Sequence, residues 1–227
     1  MTASVLDVYN NALSAVHAKG AVSSLNENSR EREVCSRWYD LVRDTVQEAA
    51  FWPSCQATAR LSIAKEREPS TAWVDGDPSP QFLYSYFLPE NYLRARHLTG
   101  FQPFVIETDF VSGRRVLSTS VANATLVYSR RSDEVTAWTP GQQLATIYAL
   151  AAHIAGPLTG NTQIKGTNIR LANEILLEAR SNAQNSQDYQ LDVMPLSLVA
   201  RGAASFTSET RYLYPLGNLF AGANTDG

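Results

Sequence analysis

The chain has 227 residues, 19 basic and 22 acidic side chains, a net charge of −3, and 44% hydrophobic against 18% charged residues. Such a chain is long enough to bury one large core or two small ones and is far from the disordered range, while a near-neutral charge gives no clustered basic excess for nucleic acid. With two cysteines 20 residues apart, Cys35 and Cys55, and three histidines, neither a disulfide framework nor a zinc site is expected.

The N-terminus lacks the basic-then-apolar pattern of a secretory leader, and no apolar run is long enough to span a membrane, so a protein made and folded in the cytoplasm is expected. Val5, Val8, Tyr9, Ala12, Leu13 and Val16 recur at helical spacing, with Thr2 or Ser4 as cap and Gly20 as stop, predicting a helix over 4–18. A second helix is predicted over 29–51, with Val34, Trp38, Leu41, Val42, Thr45 and Ala49 as its apolar face and Trp38 packed at the centre of the helical core. Pro53 ends it, because the residue before a proline is pushed out of helical geometry.

Periodicity then changes. Cys55, Ala57, Ala59, Leu61 and Ile63 alternate with polar residues, which predicts a strand with one buried face. Residues 66–80 hold Pro69, Gly76, Pro78 and Pro80 and read as a long loop, and β-rich pieces follow at 81–88, 103–109, 114–120 and 123–131. Within 54–137, nine basic residues stand against nine acidic ones.

Helical spacing returns after Trp138. Thr139 is a good N-cap and Pro140 a good first residue; Leu144, Ile147, Tyr148, Ala151 and Ile154 form the stripe, and Gly156 with Pro157 is read as its stop. A fourth helix is predicted over 162–185, with Ile169, Ala172, Ile175, Leu176 and Ala179 inward. The expected fold is therefore α+β: a four-helix bundle made of hairpins 1–53 and 138–185, with a small β-domain, 54–137, inserted between them.

Residues 186–227 form an extended C-terminal arm, apolar yet without helical period and broken by Pro195, Gly202, Pro215 and Gly217. So apolar a segment is expected to dock on a protein surface. Leu196, Leu198, Val199, Tyr212, Leu213, Tyr214, Leu216, Leu219 and Phe220 are its candidate interface residues.

No catalytic motif emerges. Asp40 with Asp44, and Glu174 with Glu178, have i, i+4 helical spacing and read as solvated faces. His97 and His153 lack a local nucleophile and orienting acid, and neither cysteine has the signature of an activated thiol. Asp75, Gly76 and Asp77 read as a turn, since the other ligands of a calcium loop are missing. No phosphate-binding glycine spacing occurs, and neither cofactor nor metal is expected.

Three segments in a fixed order carry more information. Ala49, Ala50, Phe51, Trp52 and Pro53 precede the strand with Ala57, Ala59 and Leu61. Leu88, Pro89, Tyr92, Leu93 and Arg94 form a Leu-Pro-x-x-Tyr-Leu-Arg segment, and Leu150, Ala151, Ala152, Ile154, Ala155, Pro157, Leu158 and Thr159 form a Leu-Ala-Ala-x-Ile-Ala-x-Pro-Leu-Thr segment. In this order, over roughly residues 1–185, the chain resembles the phage tail tubular protein A family, the head-tail adaptors of short-tailed bacteriophages. The long loop at 66–80 and the arm depart from the pattern.

The resemblance implies a structural virion protein and not an enzyme. Such a protein is made in the host cytoplasm and sits at the portal–tail junction, in a dodecameric ring that lines the DNA channel. Its partners would be other copies of itself, the portal protein, a tail nozzle or tail tube protein and possible tail fibres; DNA would pass through without sequence-specific binding, and no membrane is involved. A near-neutral channel wall would suit sliding DNA. Two alternatives stand beside it: a neck, head-completion or tail-terminator protein of a long-tailed phage, and a tail-associated peptidoglycan hydrolase, for which Glu90 and Glu107 are the carboxylates to examine.

Overall fold

A computed structural model describes residues 4–68, 77, 79–109 and 112–186. Helix α1, Val5–Ala15, starts at a capping box in which the Ser4 hydroxyl accepts from the Asp7 amide while the Asp7 carboxylate accepts from the Ser4 amide. It ends before Gly20, with His17 in the left-handed region at φ 56°. The Asn10 side chain then holds Val22 through two hydrogen bonds of 2.8 and 2.9 Å. Helix α2, Arg30–Ala49, is capped by Ser29, whose own hydroxyl donates to Glu27.

Seven strands lie between α2 and the next helix: β1 Gln56–Arg60, β2 Ser62–Glu66, β3 Tyr84–Phe87, β4 Tyr92–Leu98, β5 Phe104–Thr108, β6 Arg115–Thr119 and β7 Thr125–Arg130. They make two antiparallel sheets, ordered β1-β7-β4 and β2-β3-β6-β5. Only Leu61 separates β1 from β2; it is buried and its amide donates to the Ala124 carbonyl, so the chain turns there from one sheet into the other. Leu61, Tyr86, Leu98, Leu117, Leu126 and Tyr128 form the core between the sheets.

Helix α3, Pro140–Thr159, has Thr139 as its N-cap, and helix α4 runs Thr162–Ser186. Gly156 and Pro157 do not stop α3. A proline in the last turn forfeits one hydrogen bond only, and the Pro157 carbonyl is used by Arg30 at 2.7 Å. The actual stop is Gly160, left-handed at φ 65°, whose amide closes onto the Gly156 carbonyl.

The four-helix bundle with a small inserted β-domain is not what forms. α1, α2 and α4 each pack on α3, whereas α2 meets α1 and α4 at only a few positions. The reason is the composition of α3. A bundle helix buries one stripe, but Gln142, Ala145, Thr146, Ile147, Leu150, Ala151, Ala152, Ile154 and Ala155 are buried around most of its girth, and a helix apolar all round becomes a hub. The β-region, for its part, is a two-sheet structure with a core of its own.

The buried face of α2 is also turned from the predicted one. It consists of Cys35, Tyr39, Val42 and Val46, together with Arg43 and Gln47. Leu41 and Thr45 face outward, and Trp38 is half-buried. Leu144 and Ile169 are likewise exposed, and Tyr148 is half-buried instead of central. Leu13, Val16, Val46, Leu150 and Ile154 occupy the helical core.

Candidate interaction surfaces

Because α1 and α4 flank α3 without packing closely on each other, a cleft of about 690 Å³ opens between them. Its apolar surface is provided by Leu144, Ile147 and Tyr148 of α3 with Ile164 and Leu171 of α4. Asn11, Ser14, Asn161 and Thr167 add neutral amides and hydroxyls. No carboxylate, lysine or arginine lines it, and His17 is its only histidine. Such a lining suits an apolar or peptide-like surface and offers nothing to neutralise a charged metabolite. Sequence reasoning missed this cleft, because Leu144 and Tyr148 read as core residues.

Further apolar side chains stand exposed on the helices: Leu41 on α2 at 57%, and Ile169 and Leu177 on α4, Leu177 at 63%. Trp38 and His153 stack with ring centroids 4.8 Å apart. Burial first, and then the charge of Lys165, lowers the pKa of His153 below its ordinary value. His97 on β4 stacks on Phe101 at 4.7 Å, and burial lowers its pKa too.

Asp40, Asp44, Asp77, Glu107 and Glu174, singled out in the sequence, belong to structural contacts, and Glu178 is exposed on α4. Arg43 is buried and forms ion pairs with Asp40 at 3.0 Å, Asp44 at 2.9 Å and Asp133 at 2.6 Å. Asp44 also takes Arg131 at 2.6 Å. Glu174 pairs with Arg170 across one helical turn, and Asp77 with Lys65 at 2.7 Å. Glu107 accepts from the Ser118 hydroxyl and the Ser79 amide in β5, while Glu90 lies in the exposed turn before β4, on the other sheet.

Both thiols are buried. Burial pushes Cys35 up to about 12, with Glu31 adding to the effect, and burial also raises Cys55 despite hydrogen bonds from Ser54 and Gln142. Thiols so shifted are poor nucleophiles at neutral pH. Among the described residues, no three His, Cys, Asp or Glu side chains are grouped to hold a metal ion, and no helix is long and apolar enough to cross a membrane.

The joint between helices and sheets is tightly made. Arg96 of β4 donates to the Ala50 carbonyl at 2.9 Å, the Glu48 carbonyl at 3.1 Å and the Ser129 hydroxyl at 2.7 Å, and lies over the Phe51 ring. The buried Gln47 amide both donates to and accepts from the Ser132 backbone. Trp52 Nε1 donates to the Val46 carbonyl, and Arg180 of α4 reaches the Ala49 carbonyl.

The arm residues Leu196, Leu198, Val199, Tyr212, Leu213, Tyr214, Leu216, Leu219 and Phe220, with Asp75 and Gly76, lie outside the described residues. In comparisons with known proteins, no family model and no curated protein matches the chain.

Proposed function

We propose that the chain is a structural protein of a tailed-phage virion, a head-tail adaptor whose copies form a ring between portal and tail around the DNA path. One observation carries the reading: the residues of the adaptor resemblance fall at joints and do not line the α1–α3–α4 cleft. Ala49, Ala50, Phe51 and Trp52 are the point where α2 meets the sheets, gripped by Arg96 and Arg180. Leu88, Pro89 and Tyr92 link one sheet to the other, and Leu150, Ala151, Ile154 and Ala155 are the buried hub of the helices. Residues with such positions preserve an architecture, as a ring subunit under load requires. The neutral α1–α3–α4 cleft and the exposed Leu41, Ile169 and Leu177 offer contact area for neighbouring subunits or the portal.

Mixing the protein with the portal protein of the same genome tests this. At micromolar concentration, size-exclusion chromatography with light scattering is expected to show a portal complex of several copies. A protein that stays apart from its portal ring under these conditions is not an adaptor.

A further inference from the structure

Of the strands at sheet edges, β1, β4, β2 and β5, the first three carry features that discourage further pairing. β2 has a register shift between Ile63 and Lys65 and carries that lysine, and β4 has two register shifts. β1 exposes the polar Gln56, Thr58 and Arg60. β5 has none of these devices. It runs Phe104, Val105, Ile106, Glu107, Thr108 in unbroken register with β6, without proline or basic residue. Its one charge, Glu107, is taken up by Ser118 and Ser79. The Asp109 amide donates to the Arg114 carbonyl at 2.8 Å, which fixes the phase of the ladder. Bonded pairs alternate along antiparallel strands, so Val105 and Glu107 bond to β6 while the N–H and C=O of Phe104, Ile106 and Thr108 point out from the edge. Among the described residues nothing bonds to these outward groups.

A row of free backbone groups along an apolar strand suits one kind of occupant, another extended backbone. The chain contains a segment with that pattern. Tyr189, Gln190, Leu191, Asp192 and Val193 alternate apolar and polar, ahead of Pro195, which cannot donate to a ladder. Antiparallel pairing with Leu191 opposite Ile106 puts Tyr189, Leu191 and Val193 on the face of Phe104 and Ile106, which pack on the core between the sheets. The same register sets Gln190 opposite Glu107 and Asp192 opposite Val105, so no two like charges meet. Only Gln187 and Asp188 separate this segment from the end of α4, a reach of roughly 10 Å. Helix α4 packs on α3 and α2 and not on β5, so the edge within reach is that of another copy.

We propose that residues 189–193 of one copy add as an antiparallel strand to the β5 edge of the next copy. Each copy then gives one strand and receives one. Such a contact is head-to-tail and closes into a ring by rotation, and for that closure the proposal rests on the adaptor reading. Main-chain hydrogen bonds to Phe104, Ile106 and Thr108 hold the added strand, and the alternation of its side chains fixes its register.

The test is disulfide trapping between two preparations of the full chain, one with Val105→Cys and one with Asp192→Cys. These positions form a non-hydrogen-bonded pair, with Cα atoms about 4.5 Å apart and so within disulfide range. Cys35 and Cys55 are buried and stay silent in the unsubstituted control. Mixed and oxidised, with and without the portal protein, the two variants are expected to form a covalent dimer, and Val105→Cys mixed with Gln190→Cys is expected to form far less. A labelled peptide of residues 187–195 is expected to bind the dilute unsubstituted protein by fluorescence anisotropy, which guards against a misfolded variant. N-methylation of Leu191, whose amide faces β5, is expected to abolish binding, whereas N-methylation of Asp192, whose amide faces away, preserves it. Failure of the covalent dimer or of peptide binding in folded protein overturns the proposal. So does a Val105→Cys protein that dimerises with itself, which assigns the edge to β5 of a second copy. A disulfide that closes only within single chains of the double variant overturns it as well. Portal binding without trapping removes the strand exchange and keeps the adaptor reading; trapping without portal binding does the reverse.

Discussion

At the scale of single residues, burial and stacking set the titration of the chain's histidines and thiols. Trp38 and His153 illustrate this, and they yield a pH prediction. His153 has its pKa lowered, first by burial and then by Lys165, relative to the ordinary value of 6.5. The folded state therefore holds fewer protons than the unfolded one as pH falls below that value. Whatever stability the neutral ring contributes is complete above about pH 6.5 and is lost as pH falls through the lowered folded pKa. Because the imidazole stacks on Trp38, indole fluorescence is expected to change in that acidic window, and His153→Gln is expected to remove that step. A fluorescence titration identical in both proteins would show that the stack is not populated in solution.

At the scale of elements, two helical glycines make a paired prediction. Gly160, at the end of α3, has φ 65°, where a Cβ is strained even though nothing crowds it, and Gly166 lies within α4 with open space around the position of a Cβ. Gly160→Ala is expected to lower stability by about 1 kcal/mol and Gly166→Ala to raise it by about 0.5–1 kcal/mol. Urea denaturation separates the two outcomes; equal shifts would mean that α3 does not end at Gly160. N-caps were the most legible part of the sequence, since Ser4 and Thr139 act through their own hydroxyls within a few residues, whereas Ser29, read as the first residue of its helix, is in fact the cap of α2. Strand β4 was not legible. Its pairing slips between Tyr92 and Arg94 and again between Ala95 and His97, so the period-2 signal of a half-buried strand is cancelled. The α2 face was misjudged for a related reason: Arg43 and Gln47 are buried, each satisfied by partners far along the chain, Asp133 and Ser132. A polarity pattern cannot anticipate such partners.

At the scale of the whole molecule, the α+β composition was readable, but how the helices pack was not. A four-helix bundle follows from treating each helix as one stripe, and α3 has buried residues around most of its girth, so it became a hub. The cleft between α1 and α4 is a consequence of that hub, and so is the exposed α4 surface with Ile169 and Leu177. Apolar surface left open on a folded body and an apolar terminal segment in the same chain both point to assembly. The decisive test is truncation after Asn185, which removes Leu196, Leu198, Val199 and the cluster from Tyr212 to Phe220. If those residues serve the portal or a neighbouring subunit, the shortened protein keeps its far-UV helical signal and its melting temperature and loses portal association; this is the outcome expected for an adaptor. If they pack instead on their own chain, stability drops by several kcal/mol, because each large apolar side chain fully buried contributes roughly 1.5–3 kcal/mol. Portal association that survives truncation at unchanged stability would assign the arm no part in assembly, and the ring contacts would then fall to the described helices, where substitution of Leu177 or Tyr148 could locate them.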